Sequence, residues 1–192
     1  MQAMARELMA YVHTGSFVLQ DGGSYYNASY LLSPTGEVLG SYRKIHLFAF
    51  NSQENQLLTP GTEVSVIQTP LAAFGLATCF DLRFPELFRK MVGQGAEVFL
   101  VCSAWPYPRL EHWLIFNRVR AVQNQCALVS ANAVGPNRGA TLVGHSMIVD
   151  AWGTILASGG DEETILHSEV DVQKIHEARQ RFPGLAGRTD WI

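Results

Sequence analysis

The sequence predicts a single α/β domain, on three observations. Two continuous apolar runs, residues 98–102 and 127–133, each read as a strand buried on both faces. A long helical run, residues 109–125, lies between them, and a second helix starts at Phe84-Pro85-Glu86 just after a small-residue strand, residues 75–79. Strand, helix, strand, helix, strand is the signature of βαβ units with parallel strands.

In chain order, residues 3–11 form an amphipathic helical run, followed by β-type residues at 16–20. Residues 25–32 and 38–46 are β-rich and flank Ser33-Pro34-Thr35-Gly36, whose Pro and Gly suit a tight turn, so a hairpin is predicted. A polar loop, residues 51–61, leads to short strands at 64–68 and 75–79. The helix starting at Phe84 carries Pro and an acid in its first turn and ends near Gly93 and Gly95. Beyond the second parallel unit, residues 144–150, 153–157 and 165–170 alternate like antiparallel strands around Asp150-Ala151-Trp152-Gly153. A last helix spans Val172–Arg181. The domain is therefore expected over residues 1–182. Residues 183–192 form a tail too poor in apolar residues to pack alone, and are either disordered or docked on another subunit through Trp191 and Ile192.

Composition narrows the class. With 192 residues, 47% hydrophobic and 16% charged, the chain suits one sizeable core. A net charge of -3 with scattered Lys and Arg offers no field for a phosphate backbone, so nucleic acid is excluded as a partner. No apolar stretch approaches the roughly 18 residues that span a bilayer, and the first 20 residues lack a leader pattern. No membrane is expected, and a cytoplasmic location is. Cys79, Cys102 and Cys126 are an odd number at wide spacing, which argues for free thiols over a disulfide framework or zinc knuckle. The sequon Asn27-Ala28-Ser29 then reads as chance.

Cys79 ends a buried strand immediately before a helix, which places its sulfur at the carboxyl edge of the sheet, where a thiol becomes nucleophilic. A lone cysteine there is usually just a small buried hydrophobe, and Cys102 and Cys126, in apolar strands, read that way. The company of Cys79 changes its weight. Y-R-K-I-H-L-F at residues 42–48, C-F-D-L-R-F-P-E-L-F at 79–88, A-W-P-Y-P-R-L-E-H-W at 104–113, R-A-V-Q-N-Q at 120–125 and G-H-S-M-I-V-D-A-W-G at 144–153 are ordered blocks. In order and approximate spacing they resemble the carbon-nitrogen hydrolase (nitrilase) superfamily, and the W-P-Y-P-R-L-E-H-W run is similar to its ω-amidase-type branch.

That resemblance implies a four-layer α-β-β-α sandwich, no cofactor and no metal, and hydrolysis of a small aliphatic amide, such as a dicarboxylic acid monoamide, through a cysteine thioester. Cys79 would be the nucleophile, with Lys44 and the Phe80 backbone N–H stabilising the oxyanion. Without its motif, Lys44 reads as an edge-strand charge. Glu54 would orient Lys44 or position the attacking water. Trp105 and Pro106 would wall the pocket, though Trp105 equally suits the core, and Arg109 or Arg83 would bind a distal carboxylate. Asp81 and Arg83 are expected to brace the turn, by a helix-start carboxylate and a buried ion pair. His46, His112 and His145 lack metal-ligand spacing and read as structural hydrogen-bonders. Homodimers or higher homo-oligomers follow from the same resemblance.

The sequence departs from the family at its start. It opens at what looks like the family's second helix, so the first strand, first helix and second strand are expected to be missing, together with the general-base glutamate carried there. Glu7 matches nothing catalytic. Turnover is accordingly expected to be impaired, and the chain to be a fragment, a mis-started gene model or a shortened isoform. The alternative is a non-catalytic relative acting as a subunit or interaction module. A thiol redox role is disfavoured because no resolving cysteine stands near Cys79 in the sequence. Gln123 replaces an acid in the R-A-x-E-N block, which would alter a structural ion pair.

Overall fold

The computed structural model describes residues 1–187, and the end of the predicted tail, with Trp191 and Ile192, lies outside the described residues. Helix α1 (Gln2–Leu8) precedes an antiparallel sheet of β1 (Val12–Asp21), β2 (Ser24–Leu32) and β3 (Val38–Arg43). The predicted hairpin is present: Ser33 N bonds Glu37 O and Gly36 N bonds Ser33 O across the turn. Helix α1 rests against that turn, where Gln2 Nε2 donates to Gly36 O at 2.9 Å.

After α2 (Glu54–Leu57) comes a six-stranded sheet in the order β11-β10-β7-β6-β5-β4. Its members are β4 (Val66–Gln68), β5 (Ala73–Thr78), β6 (Val98–Ser103), β7 (Ala127–Asn132), β10 (Met147–Val149) and β11 (Ile155–Ser158). The central β5, β6 and β7 run parallel, joined through α3 (Pro85–Gly93) and α4 (Leu110–Asn124), as the alternation of apolar runs predicts. Phe99 of β6 meets Phe88 of α3 edge to face at 5.0 Å, so these crossover helices cover one face.

The three-stranded sheet covers the other. A Cβ at Gly40 in β3 would stand 2.7 Å from Ile67 Cδ1 in β4, so only glycine permits the two sheets to approach this closely. Helix, sheet and sheet of the expected α-β-β-α sandwich are thus formed, around a core that includes Leu31, Tyr42, Leu76, Phe88, Phe99 and Trp113. Each large side chain buried this way contributes roughly 1.5–3 kcal/mol.

Helix α5 (Val172–Arg181) has its predicted bounds, set by the Asp171 side chain accepting from Gln173 N at 2.9 Å. It docks at the N-terminal ends of β6 and β7, where Ile175 and Ala178 pack with Val98 and Ala127 and Arg179 donates to Ala96 O and Gln125 O.

Two expectations need correction. Residues 165–170 form no strand; their alternation belongs to an irregular segment of alternately exposed and half-buried residues that leads into α5. A hairpin of β8 (Val134–Asn137) and β9 (Ala140–Val143) was not predicted, because its strands are short and its turn residues, Arg138 and Gly139, interrupt no long apolar run. No described helix is long and apolar enough to cross a membrane.

Candidate active site

Strand β5 stops at Thr78, and Cys79 adopts φ 48°, in the left-handed region that costs a non-glycine residue roughly 1–2 kcal/mol. A 3-10 turn, Cys79–Arg83, follows, so the strand reaches α3 through a tight elbow and not directly. Thr78 and Asp81 form a reciprocal capping box across this turn, and Pro85 opens α3. The cysteine is half-buried at the sheet's carboxyl edge.

Asp81, fully buried, is where two motifs meet. Its Oδ2 accepts from Tyr42 OH at 2.8 Å and Thr78 N at 2.9 Å, and its Oδ1 accepts from His46 N at 3.1 Å and faces His46 Nδ1 at 2.8 Å. Residues two before and two after Lys44 are thereby tied to the residue before Cys79. The His46 ring also stacks on Phe84 at 3.6 Å. Burial, then the Asp81 charge, push the Tyr42 phenol far above its usual range, so it stays a donor. Asp81→Ala strands three buried donors at about 1–3 kcal/mol each. A drop of roughly 3–5 kcal/mol in unfolding free energy is expected from chemical denaturation; a drop below about 1 kcal/mol would show that the network is not a brace.

Lys44 is 3% exposed, which removes the edge-strand reading. Its Nζ donates to both carboxylate oxygens of Glu54, at 2.9 and 2.8 Å. The loop carrying Glu54 folds back onto β3 because Gly61 N bonds Lys44 O at 2.9 Å, and a Cβ at Gly61 would fall 2.1 Å from Arg43 O. Glu54 also accepts from Phe48 N and from Asn27 Nδ2, both at 2.8 Å. Burial works against its charge, but the Lys44 ammonium and these hydrogen bonds outweigh it and hold the carboxyl below the usual range.

All eight residues singled out from the sequence, Lys44, Glu54, Cys79, Phe80, Arg83, Trp105, Pro106 and Arg109, line one pocket of about 220 Å3. Trp105, buried to 2% exposure, serves both of its anticipated roles: it packs against Trp113 and also walls the pocket, with Nε1 donating to Arg109 O at 2.9 Å. Arg83 departs from the expected buried ion pair, forming none among the described residues. Its guanidinium lies 5.0 Å over Trp105 and 5.3 Å over Phe116, with Nη2 at 3.0 Å from His112 Nδ1. Burial and the nearby Arg109 charge lower the Arg83 pKa. Neither guanidinium has a carboxylate partner among the described residues.

Sequence reasoning missed Ser16, Asn27, Phe48, Thr78, Ser103 and Ala104 in this lining. Asn27 was set aside as a chance sequon; the available signal was only its alternation with the buried Ala28. Ser16 reaches the pocket past a bulge at Thr14-Gly15, a device that re-aims a side chain.

The other thiols behave as buried hydrophobes, and burial raises the pKa of both, that of Cys126 to about 11. The parallel register nevertheless places Cys102 opposite Thr78, with its sulfur 3.6 Å from Thr78 Oγ1, so a second thiol does stand beside the elbow. At Gln123, a hydrogen bond from the Arg120 guanidinium to the neutral amide at 3.3 Å stands where an acid would form an ion pair. His145 keeps a structural bond to Val143 O at 2.7 Å.

An α-β-β frame with a strand-end cysteine and a buried lysine–glutamate pair in one pocket defines a protein of the nitrilase class. The family model for carbon-nitrogen hydrolases matches residues 1–180, and the chain belongs to that family. It is 37% identical to a 2-oxoglutaramate amidase of Paenarthrobacter nicotinovorans, over 96% of this chain and 66% of that protein. It is 35% identical to the omega-amidase NIT2 of Mus musculus, over 94% of this chain and 68% of that one. It thus spans about two thirds of the length of these curated relatives. Among solved structures, Saccharomyces cerevisiae Nit3, a member of branch 10 of the nitrilase superfamily, superposes with a TM-score of 0.90 at 29% identity, covering 100% of this chain and 70% of that one.

Proposed function

We propose that this site hydrolyses the terminal amide of a dicarboxylic acid monoamide, releasing ammonia. The observation that carries the substrate class is the pair Arg83 and Arg109, two cations without carboxylate partners among the described residues, lining the pocket that holds Cys79 and Lys44. A distal carboxylate supplies what both lack, and the named activities of the relatives, a 2-oxoglutaramate amidase and an omega-amidase, agree with it.

In this reading the Cys79 sulfur attacks the amide carbon, forming the C–S bond while the carbonyl electrons move to oxygen. The Lys44 ammonium and the Phe80 N–H stabilise that oxyanion, each such donor contributing about 3–4 kcal/mol. Collapse breaks the C–N bond, and the proton first lost by the thiol leaves on ammonia. Water then attacks the thioester, the C–S bond breaks, one water proton returns to sulfur, the other is released and converts ammonia to ammonium, and the carboxylate departs. The proton carrier in both halves is the early-strand glutamate that the family resemblance implies, a group no described residue supplies; Glu54 is the single carboxylate among the described lining.

Ammonia release from a five-carbon dicarboxylic monoamide, compared with the methyl ester of the same acid, tests the reading. The ester is expected to be turned over at least about 100-fold less efficiently, since a charge-assisted contact contributes about 1.5–3 kcal/mol and the ester leaves two cations unpaired. Equal kcat/KM for the two would overturn the substrate class. Arg109→Met is expected to raise KM for the monoamide by roughly 10- to 100-fold with kcat changed only a few-fold, because a distal contact is made equally in ground and transition states. Steady-state kinetics separate the two parameters.

A further inference from the structure

Two roles stand open for Glu54: fixing Lys44, or activating water. The contacts decide between them. Its Oε1 accepts from Lys44 Nζ at 2.9 Å and Asn27 Nδ2 at 2.8 Å; its Oε2 accepts from Lys44 Nζ at 2.8 Å and Phe48 N at 2.8 Å. Both oxygens are doubly engaged, by four hydrogen bonds from three donor groups on two segments, the Asn27 strand and residues 44–48.

We propose that Asn27 is a positioning residue that, with the Phe48 N–H, locks Glu54 as the fixed counter-ion of Lys44 and keeps it out of proton transfer. An ionised carboxylate only accepts, so the Asn27 amide must present its NH2 group to Glu54, and its orientation is determined by chemistry. A carboxylate that takes up a proton during the cycle would have to surrender one of these bonds and release its hold on the ammonium. The depressed Glu54 pKa agrees with the lock. The consequence is that Lys44 keeps one place and a full charge while the oxyanion forms and decays.

The inference rests on the amidase reading only for its effect on rate, so two measurements separate them. The first needs no turnover: carbon-13 NMR titration of the Glu54 carboxyl in the full chain. Asn27→Asp replaces a donor by a like charge, and the Glu54 midpoint is expected to rise by about one pH unit or more; Asn27→Ala, which only removes the donor, is expected to raise it less. The second is the pH dependence of kcat/KM. In Asn27→Asp the acid limb is expected to move up together with the NMR midpoint, with most of the wild-type value regained at higher pH. An unchanged Glu54 midpoint, or a loss of kcat/KM equal at every pH, would overturn the assignment, the latter because a merely structural role predicts it. Absence of ammonia release from the unmodified protein would remove the amidase reading and leave the titration result standing.

Discussion

Ammonia release is expected to fall to background when Cys79 is replaced by alanine, with the fold retained. Both residues carry a Cβ, so the left-handed backbone at φ 48° is strained alike in each, and the half-buried sulfur leaves little void. A stability change within about 1.5 kcal/mol is expected from denaturant midpoints, in the ordinary range for such a change. Activity is another matter, because without the sulfur no thioester forms and the oxyanion donors have no tetrahedral adduct to stabilise. A trapped acyl adduct on the Cys79 peptide, read by mass spectrometry after rapid quench in the unmodified protein, gives the positive counterpart. Undiminished turnover by the alanine variant would sink the mechanism.

Lys44→Met is expected to cost roughly 10² to 10³ in kcat, the range for losing one preorganised oxyanion donor. It also leaves the half-buried Glu54 without its cation, a change expected to cost up to about 3 kcal/mol of stability. The two effects separate in the double variant Lys44→Met with Glu54→Gln, expected to recover stability and not activity. The pH dependence gives a sharper sign. In the unmodified protein the folded-state pKa of Glu54 is depressed, so its contribution is fully present above the unfolded value of roughly 4.3 and is lost as pH falls through the folded one. In Lys44→Met only burial and two hydrogen bonds remain. The folded pKa is expected to rise above the unfolded one, so the variant gains stability relative to wild type as pH falls. Denaturant midpoints at about pH 7 and about pH 4 check this; a constant difference between the two proteins would show that Lys44 is not what holds the Glu54 charge.

Much of this was legible in the sequence for definite reasons. Continuous apolar runs at β6 and β7 identify strands covered on both sides, and Pro85 after Phe84 marks a helix start. The hairpin β8–β9 and the irregular stretch at residues 165–170 were misread because short segments carry too few periods for alternation to discriminate. Asp81 and Arg83 were expected to brace the elbow, by a helix-start carboxylate and a buried ion pair. Asp81 instead turns inward to Tyr42 and His46, while Arg83 lies over aromatic rings at the pocket.

By itself, then, the sequence determined the α/β class and, through ordered motifs, the family, since local periodicity and motif spacing are written along the chain. Only the tertiary structure decided that Asn27 and Phe48 close around Glu54, that Asp81 ties the lysine segment to the cysteine elbow, and that Arg83 and Arg109 share one pocket. The longest of these contacts joins residues 39 positions apart. They exist because strand register and the fold-back at Gly61 bring distant segments together, and register is set by packing between faces that no local pattern specifies.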